Sequence, residues 1–286
     1  MERSGHIPGE ILNEKYRIAE IIHTGEQSTV YLSEEIKTGN MRVIKAIWTG
    51  YVPNEGKELS KELLMKEVTL LRTLRNEGIP RFKEHFSETD WEFLVMEHIE
   101  GKTLRELQMA GGKPSEVRDC VFWAMAICDV LHYLHNRAQP IIFRDLNPSN
   151  IMLTDKGQIK LIDFALARFF DDTKLRDTYI MGTFGYAAPE QYGTGQTTPQ
   201  SDIYAVGTTL YDLLTLEDVK QFVFNFPPIR KINRNVPPWL EKIIARCLEK
   251  QPEKRFQSAF VLKRELEKGF RKMGFSFLTR VSAKDS

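Results

Sequence analysis

I-I-F-R-D-L-N-P-S-N-I-M-L is the sequence of residues 141–153, and a second acidic turn, L-I-D-F-A, follows at residues 161–165. Asp145 places a carboxylate on a tight loop, where it can accept a proton from a hydroxyl group. Asn150 and Asp163 offer oxygen atoms of the kind that Mg²⁺ takes as ligands while phosphate oxygens complete its shell. The stretch therefore predicts a site that combines a proton acceptor with a metal ion.

Two short apolar runs, residues 151–153 and 159–162, flank a turn at residues 155–157. Apolar runs of this length on either side of a turn that contains glycine predict a β-hairpin. The hairpin would hold Asn150 and Asp163 at its base. We therefore expect both side chains to face the same metal ion.

The composition is typical of a globular protein, with 42% hydrophobic and 28% charged residues. A net charge of +1 gives no reason to expect nucleic acid as a partner. Cys120, Cys128 and Cys247 lack the close spacing of a metal site, and we interpret them as reduced thiols of a cytoplasmic protein. The most apolar long stretch, residues 121–134, is too short for a bilayer and no signal peptide precedes Gly9, so we expect no transmembrane segment.

Three motifs follow one another along the chain. They are F-R-D-L-N-P-S-N at residues 143–150, D-F-A at 163–165 and G-T-F-G-Y-A-A-P-E at 182–190. In this order and at this spacing they resemble the catalytic loop, the metal-binding turn and the A-P-E segment of protein kinases, whose first two motifs are H-R-D-L-x-x-x-N and D-F-G. The chain is identified as a member of the bacterial branch of eukaryotic-like (Hanks-type) serine/threonine protein kinases.

The resemblance covers residues 11–270 and implies an α+β, bilobal protein-kinase fold. We expect a small N-lobe with an antiparallel sheet and one main helix, and a mostly helical C-lobe. The expected boundaries are an N-terminal tail at 1–10, the N-lobe at about 11–96, the hinge at 97–101, the C-lobe at 102–270 and a basic C-terminal tail at 271–286. We expect the N-terminal tail to be poorly ordered and the basic tail to be solvated.

An ion pair is expected in the N-lobe. Lys45 lies in R-V-I-K and matches the family lysine that binds the α- and β-phosphates of ATP. Residues 61–75 carry apolar side chains at helical spacing, and Glu67 lies among them, where an unpaired carboxylate would be costly. We therefore expect Glu67 to pair with Lys45, with Glu62 as the alternative.

The nucleotide contacts are implied by the resemblance. H-T-G-E-Q-S-T-V-Y at residues 23–31 resembles the loop that covers the phosphates, although only the middle glycine is present. L-V-M-E-H-I-E-G at residues 94–101 resembles the hinge, with Met96 as gatekeeper beside the adenine. ATP would be bound with Mg²⁺ or Mn²⁺, and the residues assigned to its nucleotide are Ile22, Gly25, Val30, Lys45, Met96, Glu97 and Ile99.

The resemblance also assigns roles around the activation segment. Thr183 would bond the catalytic Asp145 and help to select Ser and Thr hydroxyls as acceptors. Thr178, and after it Thr173, are the expected phosphate acceptors, and Arg144 would bind that phosphate.

Three further residues are assigned to the framework. Asp202 would brace the catalytic loop from the central helix of the C-lobe. Glu190 of the A-P-E motif would form a buried ion pair with Arg255.

Five positions depart from the family pattern. They are Phe143 for histidine, Ala165 for the glycine of D-F-G, His23 and Ser28 for two loop glycines, and Asn147 for a lysine that contacts the γ-phosphate. The loss of one preorganised donor commonly costs on the order of 10²–10³ in rate. Asn147 can still donate a hydrogen bond.

These observations favour an active protein kinase that phosphorylates Ser or Thr on protein substrates, with autophosphorylation and a role in signalling. A nucleotide-binding pseudokinase that acts as a scaffold is the alternative. A phosphotransferase for small molecules is a third reading, and the peptide-docking segment at 182–190 argues against it. The oligomeric state is open, with a dimer among the options.

Overall fold

A computed structural model describes most of the chain, and its residues form two units, with the chain passing from one to the other between Glu100 and Gly101. This division falls inside the expected hinge, four residues beyond the end predicted for the N-lobe. The residues described are 5–25, 28–50, 56–171, 173, 182–193 and 195–273.

The first unit contains, among its described residues, an antiparallel sheet and one α-helix. The strands follow the order β1-β2-β3-β4-β6-β5 across the sheet. Their bounds are β1 Ile11–Leu12, β2 Tyr16–Thr24, β3 Thr29–Glu35, β4 Asn40–Trp48, β5 Phe82–Glu88 and β6 Trp91–Glu97, and the helix α1 is Gly56–Thr73.

Alternate side chains of strand β3 are buried in the core of the first unit. On β3 the side chains of Thr29, Tyr31 and Ser33 are buried, and their neighbours along the strand are partly exposed. Tyr31 packs with Ile44 of β4 and Phe93 of β6 in one apolar cluster. This period of two is what a strand with one buried face requires.

The N-terminal residues correct one expectation. Residues 5–10 were expected to be poorly ordered, but the Gly9 N–H donates to the carbonyl of Ile18 at 2.8 Å, and the Ile18 N–H donates to Glu10. The imidazole of His6 lies 5.0 Å from the ring of Trp91, measured between ring centroids. The prediction of a tail was based on polar composition alone. Contacts with residues distant in the chain, such as Ile18 and Trp91, cannot be recognised from the local sequence.

The second unit is mostly helical, with short strands around the catalytic loop. Its strands are β7 Gly101–Thr103, β8 Ile141–Ile142, β9 Ile151–Thr154, β10 Ile159–Leu161 and β11 Arg168–Phe169. Its helices are α2 Leu104–Gly111, α3 Val117–His135, α4 Pro199–Thr215, α5 Pro238–Cys247 and α6 Ala259–Lys272.

The predicted hairpin is present as β9 and β10, which pair in antiparallel fashion with Ile151 opposite Leu161. Strand β7 adds to the other edge of β9, and this pairing was not predicted. Thr103 at the end of β7 then caps α2 through a capping box with Glu106, as its spacing indicates.

Helix α4 is the centre of the second unit, because every side chain from Ser201 to Thr215 is buried. The fold class is thus confirmed: the first unit carries an antiparallel sheet with one helix, and the second is mostly helical. Across the part of the chain that the structure describes, none of the helices combines the length and the apolar character needed to cross a bilayer.

Candidate active site

Asp145 is the centre of a hydrogen-bond cluster in the second unit. Its Oδ1 accepts the Thr183 hydroxyl at 2.6 Å and the Thr183 N–H at 3.1 Å. Its Oδ2 accepts the side-chain amide of Asn150 at 2.8 Å. Both carboxylate oxygens are therefore fixed in direction, as a proton acceptor requires.

The pKa of Asp145 is raised above its ordinary value. Burial is the largest cause, and the negative charge of Asp163 acts in the same direction. Hydrogen bonds from Thr183 and Asn150 oppose the shift, because they stabilise the charged form. A carboxylate with a raised pKa is a stronger base, which suits it to take a proton from a hydroxyl group.

Asn147 is tied into the same cluster. Its amide nitrogen lies 3.3 Å from Oδ1 of Asp145 and 3.3 Å from the hydroxyl of Thr183. Its amide oxygen accepts the Ser149 N–H at 2.9 Å, so the side chain caps the short 3-10 turn Pro148–Asn150. Asn147 is only 4% exposed, although its sequence position on a loop suggests a freer side chain.

Asn150 and Asp163 are brought together by the hairpin. The Ile162 N–H donates to the carbonyl of Asn150 at 2.9 Å, so the backbone on either side of the hairpin is paired at its base. Asp163 follows directly with a φ of 64°, in the left-handed region that few residues other than glycine adopt. Backbone of this kind outside glycine is concentrated at functional sites.

The two side chains present the donor atoms that a hard cation takes. The amide nitrogen of Asn150 is committed to Asp145, so its amide oxygen is the atom that can act as a ligand. Asp163 supplies a charged oxygen. Among the described residues no group of three or more His, Cys, Asp or Glu side chains could hold a metal ion. An amide oxygen and a carboxylate oxygen are ligands that suit Mg²⁺ or Mn²⁺, with phosphate oxygens to complete the shell.

Asp202 of α4 holds the backbone of the catalytic loop. Its carboxylate accepts the N–H groups of Phe143 at 2.9 Å and Arg144 at 2.8 Å. Arg144 has a φ of 70°, and these bonds to a buried carboxylate hold it in that conformation. His135, at the end of α3, also bonds the same carboxylate at 2.7 Å. Sequence reasoning did not single out His135, which lies outside the quoted motifs.

Phe143 packs where the family pattern has a histidine. Its ring meets that of Phe164 edge to face, with 5.1 Å between centroids, and both rings are fully buried. Phe164 belongs to the D-F-A motif. The aromatic contact therefore links the catalytic loop to the metal-binding turn.

Glu190 and Arg255 form a buried bidentate ion pair, with oxygen–nitrogen distances of 2.7 and 2.9 Å. The Ser201 hydroxyl donates to the same carboxylate. Gln191, which sequence reasoning missed, donates its side-chain amide to the carbonyl of Arg144 at 2.9 Å. These contacts attach the A-P-E segment to the helical core and to the catalytic loop.

The activation segment is only partly described. The Thr173 hydroxyl donates to Asp171 at 2.6 Å. Thr178 lies outside the described residues, so its expected role stays a prediction.

The first unit carries the expected ion pair. The ammonium of Lys45 on β4 lies 2.9 Å from the carboxylate of Glu67 on α1. Glu67 is 1% exposed, so its partner must offset the cost of a buried charge. Glu62, the alternative, pairs instead with Lys66 on the helix surface at 2.6 Å.

The residues assigned to the nucleotide lie on two parts of the same sheet. Ile22 lies in β2 and Val30 in β3. Gly25 lies in the turn between these strands, which its N–H closes by donating to the carbonyl of Ser28 at 2.8 Å. A Cβ at position 25 would come no closer than 3.4 Å to the neighbouring side chain or backbone. The described contacts of the protein itself therefore do not demand glycine there.

Met96 and Glu97 end β6, and Ile99 follows in the chain. The Glu97 N–H donates to the carbonyl of Arg81 at 2.9 Å and is committed within the first unit. This N–H is therefore not available to a nucleotide.

Comparison with known proteins gives the class. The family model described as protein kinase domain matches residues 16–266, and the chain belongs to this family. It is 29% identical over 273 residues to a probable serine/threonine-protein kinase of Clostridium perfringens, covering 91% of this chain and 39% of that protein. It is 28% identical to serine/threonine-protein kinase PrkC of Bacillus subtilis, covering 92% and 41%.

A third relative is serine/threonine-protein kinase PknL of Mycobacterium tuberculosis, at 28% identity, with 90% of this chain and 66% of that protein covered. The chain spans about two fifths of the length of the Clostridium and Bacillus relatives.

Proposed function

We propose that this chain is an ATP-dependent serine/threonine protein kinase that transfers the γ-phosphoryl group of ATP to Ser or Thr of a protein. The observation that carries the proposal is the Thr183–Asp145–Asn150 cluster. A half-buried carboxylate with a raised pKa is held there by directed hydrogen bonds, beside an oxygen donor set for Mg²⁺. Such a cluster serves phosphoryl transfer, in which positioning and electrostatics supply most of the catalysis.

In this mechanism Asp145 orients the acceptor hydroxyl and takes its proton. The hydroxyl oxygen forms a bond to the γ-phosphorus, and the bond from that phosphorus to the bridging oxygen breaks, with ADP as the leaving group. Lys45 binds the α- and β-phosphates, and its pairing with Glu67 holds the ammonium in place. Asn150 and Asp163 would hold Mg²⁺, which would supply positive charge to neutralise the phosphates.

Thr183 supports the choice of acceptor. Its hydroxyl bonds Asp145 at 2.6 Å, so an aliphatic alcohol is already accommodated beside the proton acceptor. Ser and Thr of a protein substrate present the same group. The names of the relatives in Clostridium, Bacillus and Mycobacterium agree with this substrate class.

A nucleotide-binding pseudokinase is the second candidate, and Asn147 in place of the family lysine is the observation that favours it. Against it, Asn147 donates toward both Asp145 and Thr183 and so keeps a donor in the cluster. The acidic and amide residues that the chemistry needs are all present. We therefore favour an active enzyme.

The location of the protein, its metal ion and its oligomeric state are proposed from fewer observations. All three cysteines are buried free thiols, which supports a cytoplasmic location. Autophosphorylation and a role in signalling follow from the resemblance to bacterial kinases. Mg²⁺ and Mn²⁺ both suit the oxygen ligands, and a dimer stays a prediction.

A phosphotransfer assay tests the proposal. The purified chain is incubated with labelled ATP, Mg²⁺ and casein as a general Ser/Thr acceptor, and nucleotide binding is measured in parallel. Asp145→Asn should lower transfer by about 10²-fold or more while ATP affinity changes by only a few-fold. Asp155→Asn, at the exposed hairpin turn, is the matched control and should leave transfer unchanged.

Two outcomes would contradict the proposal. Equal transfer in the natural chain and in Asp145→Asn would remove Asp145 from the chemistry. ATP binding without detectable transfer to casein or to the chain itself would favour the pseudokinase.

A further inference from the structure

Among the described side chains, two ion pairs join helix α1 to the sheet of the first unit. Lys45 of β4 bonds Glu67 of the helix at 2.9 Å. Glu92 of β6 bonds Lys61 of the helix at 2.7 Å. The expectations from sequence covered the first pair and did not include the second.

The strand register explains why both pairs reach the same helix. Lys45 lies opposite Leu94, and Ile47 lies opposite Glu92 on the neighbouring strand. Residues directly opposite each other, and residues two apart on one strand, project from the same face of a sheet. Lys45 and Glu92 therefore share the face that α1 covers, about 7 Å apart along the strands.

Glu92 is held in position by residues of the sheet as well as by Lys61. Its Oε2 accepts the Ser87 hydroxyl at 2.6 Å and bonds His85 at 2.9 Å, both from β5. This leaves Oε1 for Lys61. Glu92 is 6% exposed, and although burial acts to raise its pKa, the bonds from Lys61 and Ser87 keep the pKa below its ordinary value. The carboxylate is thus charged, buried and fixed in direction.

The two pairs have opposite polarity. At one point the sheet supplies the cation and the helix the anion, and at the other the roles are exchanged. Lys61 and Glu67 are six residues apart, or about 9 Å along the helix axis. A shift of α1 that carried Glu67 toward Glu92 would bring two carboxylates together, and like charges repel. The arrangement therefore favours one axial position of the helix.

We propose that the Lys61–Glu92 ion pair positions helix α1, so that Glu67 is held on Lys45 for phosphoryl transfer. The inference rests on the proposed function, because Lys45 is assigned there to the phosphates of ATP. The pair at Glu67 restrains α1 at one point, and a second pair nearer its N-terminus adds a restraint on rotation about that point. Lys61 and Glu92 are positioning residues and do not touch the substrate.

An ion pair on a protein surface often contributes little, about 0–1 kcal/mol. The chain offers such a pair on the same helix, Lys66–Glu62, in which both side chains are about half exposed, at 48% and 49%. Lys61–Glu92 differs because its carboxylate is 7% exposed as a side chain and has two further partners. The exposed pair Lys66–Glu62 therefore serves as a control for the pair Lys61–Glu92 on the same helix.

The experiment compares Lys61→Met with Lys66→Met in the full chain. For each protein we would measure kcat and KM for ATP, and hydrogen–deuterium exchange of the backbone amides of α1. Lys61→Met should lower kcat/KM by about fivefold and speed exchange in α1, with β3 and β4 unchanged. Lys61→Arg, which keeps the cation, should restore most of the loss, and Lys66→Met should change neither measurement.

A double-mutant cycle measures the coupling between Lys61 and Glu92, and a general loss of stability would not produce such coupling. If Lys61 acts through Glu92, then Lys61→Met combined with Glu92→Gln should cost little more than the single changes. Fully additive losses would overturn the proposal. Lys61 is the first residue to replace, because its side chain is half exposed and its replacement should not disturb the packing of the core.

The outcomes separate this inference from the proposed function. If the natural chain transfers phosphate and Lys61→Met does so equally well, the positioning role is wrong and the kinase activity stands. If the natural chain transfers none, the proposed function fails. In that case the exchange of α1 decides the inference: faster exchange in Lys61→Met alone supports the pair as the restraint on α1, and equal exchange in all variants overturns it.

Discussion

The hydroxyl of Thr183 donates to the carboxylate of Asp145 across 2.6 Å, and the two residues are 38 positions apart in the chain. The bond joins the A-P-E segment to the catalytic loop. It also acts on the charge of Asp145, because a hydrogen bond to the ionised form lowers the pKa of a carboxyl group. One contact thus affects both the placement and the protonation of the proposed proton acceptor.

The first prediction follows from the sign of that effect. The pKa of Asp145 is already above its ordinary value, and Thr183→Val removes a bond that opposes the shift, so the pKa should rise further. Transfer needs the ionised carboxylate, so the acid limb of the kcat/KM profile should move to higher pH. At neutral pH we expect a loss of about tenfold, since a hydrogen bond to a charged group is worth about 1.5 kcal/mol or more.

A pH–rate profile of Thr183→Val and of Thr183→Ser checks this. Serine keeps the hydroxyl and should keep the acid limb where it is. An acid limb that moves to lower pH in Thr183→Val would show that this bond does not control the ionisation of Asp145.

The second prediction concerns stability. Arg255 is fully buried and its guanidinium bonds both oxygens of Glu190, so Glu190→Gln leaves a buried cation without its counter-charge. The removal of one partner of a buried ion pair typically costs about 3–5 kcal/mol. The free energy of unfolding, measured in urea, should fall by this amount. Glu265→Gln, which breaks an exposed pair with Lys268, should cost less than about 0.5 kcal/mol.

A loss in Glu190→Gln no larger than in the control would mean that Arg255 is satisfied by its other bonds. These run to the backbone carbonyls of Gln200, Glu249 and Lys250.

The sequence predicted the site where chemistry restricts the residue type. A proton acceptor, an amide oxygen and a second carboxylate are the residue types that this chemistry needs, and the resemblance to protein kinases gave the order Asp145, Asn150, Asp163. The hairpin between them was predictable because its pairing is local. The same reasoning selected Glu67 over Glu62, since only Glu67 lies among apolar residues and a buried charge needs a partner.

Most of the features that were not predicted depend on contacts between residues far apart in the sequence. Strand β7 is only three residues long and is defined by its pairing with β9, some fifty positions away. His135 gains its role only when α4 brings Asp202 to it. Helix α1 begins at Gly56, five residues before the predicted start, because the polar residues at its N-terminus lack the apolar period on which the prediction was based.

The third prediction tests the metal ligands. Asp163→Asn keeps the shape of the side chain and removes its charge, so Mg²⁺-dependent binding of ATP should weaken. Loss of residues that merely orient metal ligands typically costs about 10–100-fold, and loss of a charged ligand should cost at least as much. A thermal-shift titration with ATP, with and without Mg²⁺, measures the effect. The assignment is wrong if Asp163→Asn and Asp155→Asn respond equally to Mg²⁺ and ATP.

The fourth prediction concerns the activation segment. Mass spectrometry of the chain after incubation with ATP should find phosphate between residues 171 and 179, on Thr178 before Thr173. Thr178→Ala should lower transfer by about tenfold if the phosphate forms a charge-assisted hydrogen bond with Arg144, worth about 1.5 kcal/mol. Thr173→Ala should lower transfer less, because Thr173 is the second of the two expected acceptors and its hydroxyl donates to Asp171. Phosphate that also forms in Asp145→Asn would point to a contaminating kinase, and phosphate found only elsewhere would exclude this route.

The last prediction addresses Asn147, where the family pattern has a lysine. Asn147→Lys should raise kcat by about tenfold, because a cation would stabilise charge that develops in the transition state. The same change removes the cap on the Ser149 N–H, which typically costs about 1 kcal/mol of stability. Activity and stability should therefore move in opposite directions, and ATP affinity should change little.

Asn147→Ser separates the two effects. Serine is also a good capping residue, so it should keep the stability while it loses the amide that reaches Asp145 and Thr183. If both Asn147→Lys and Asn147→Ser lower kcat in a natural chain with high turnover, the Asn147 amide already supplies the donor that the lysine supplies elsewhere in the family. If the natural chain and Asn147→Lys are both inactive while they bind ATP, the missing cation is not what limits transfer, and the scaffold role is favoured.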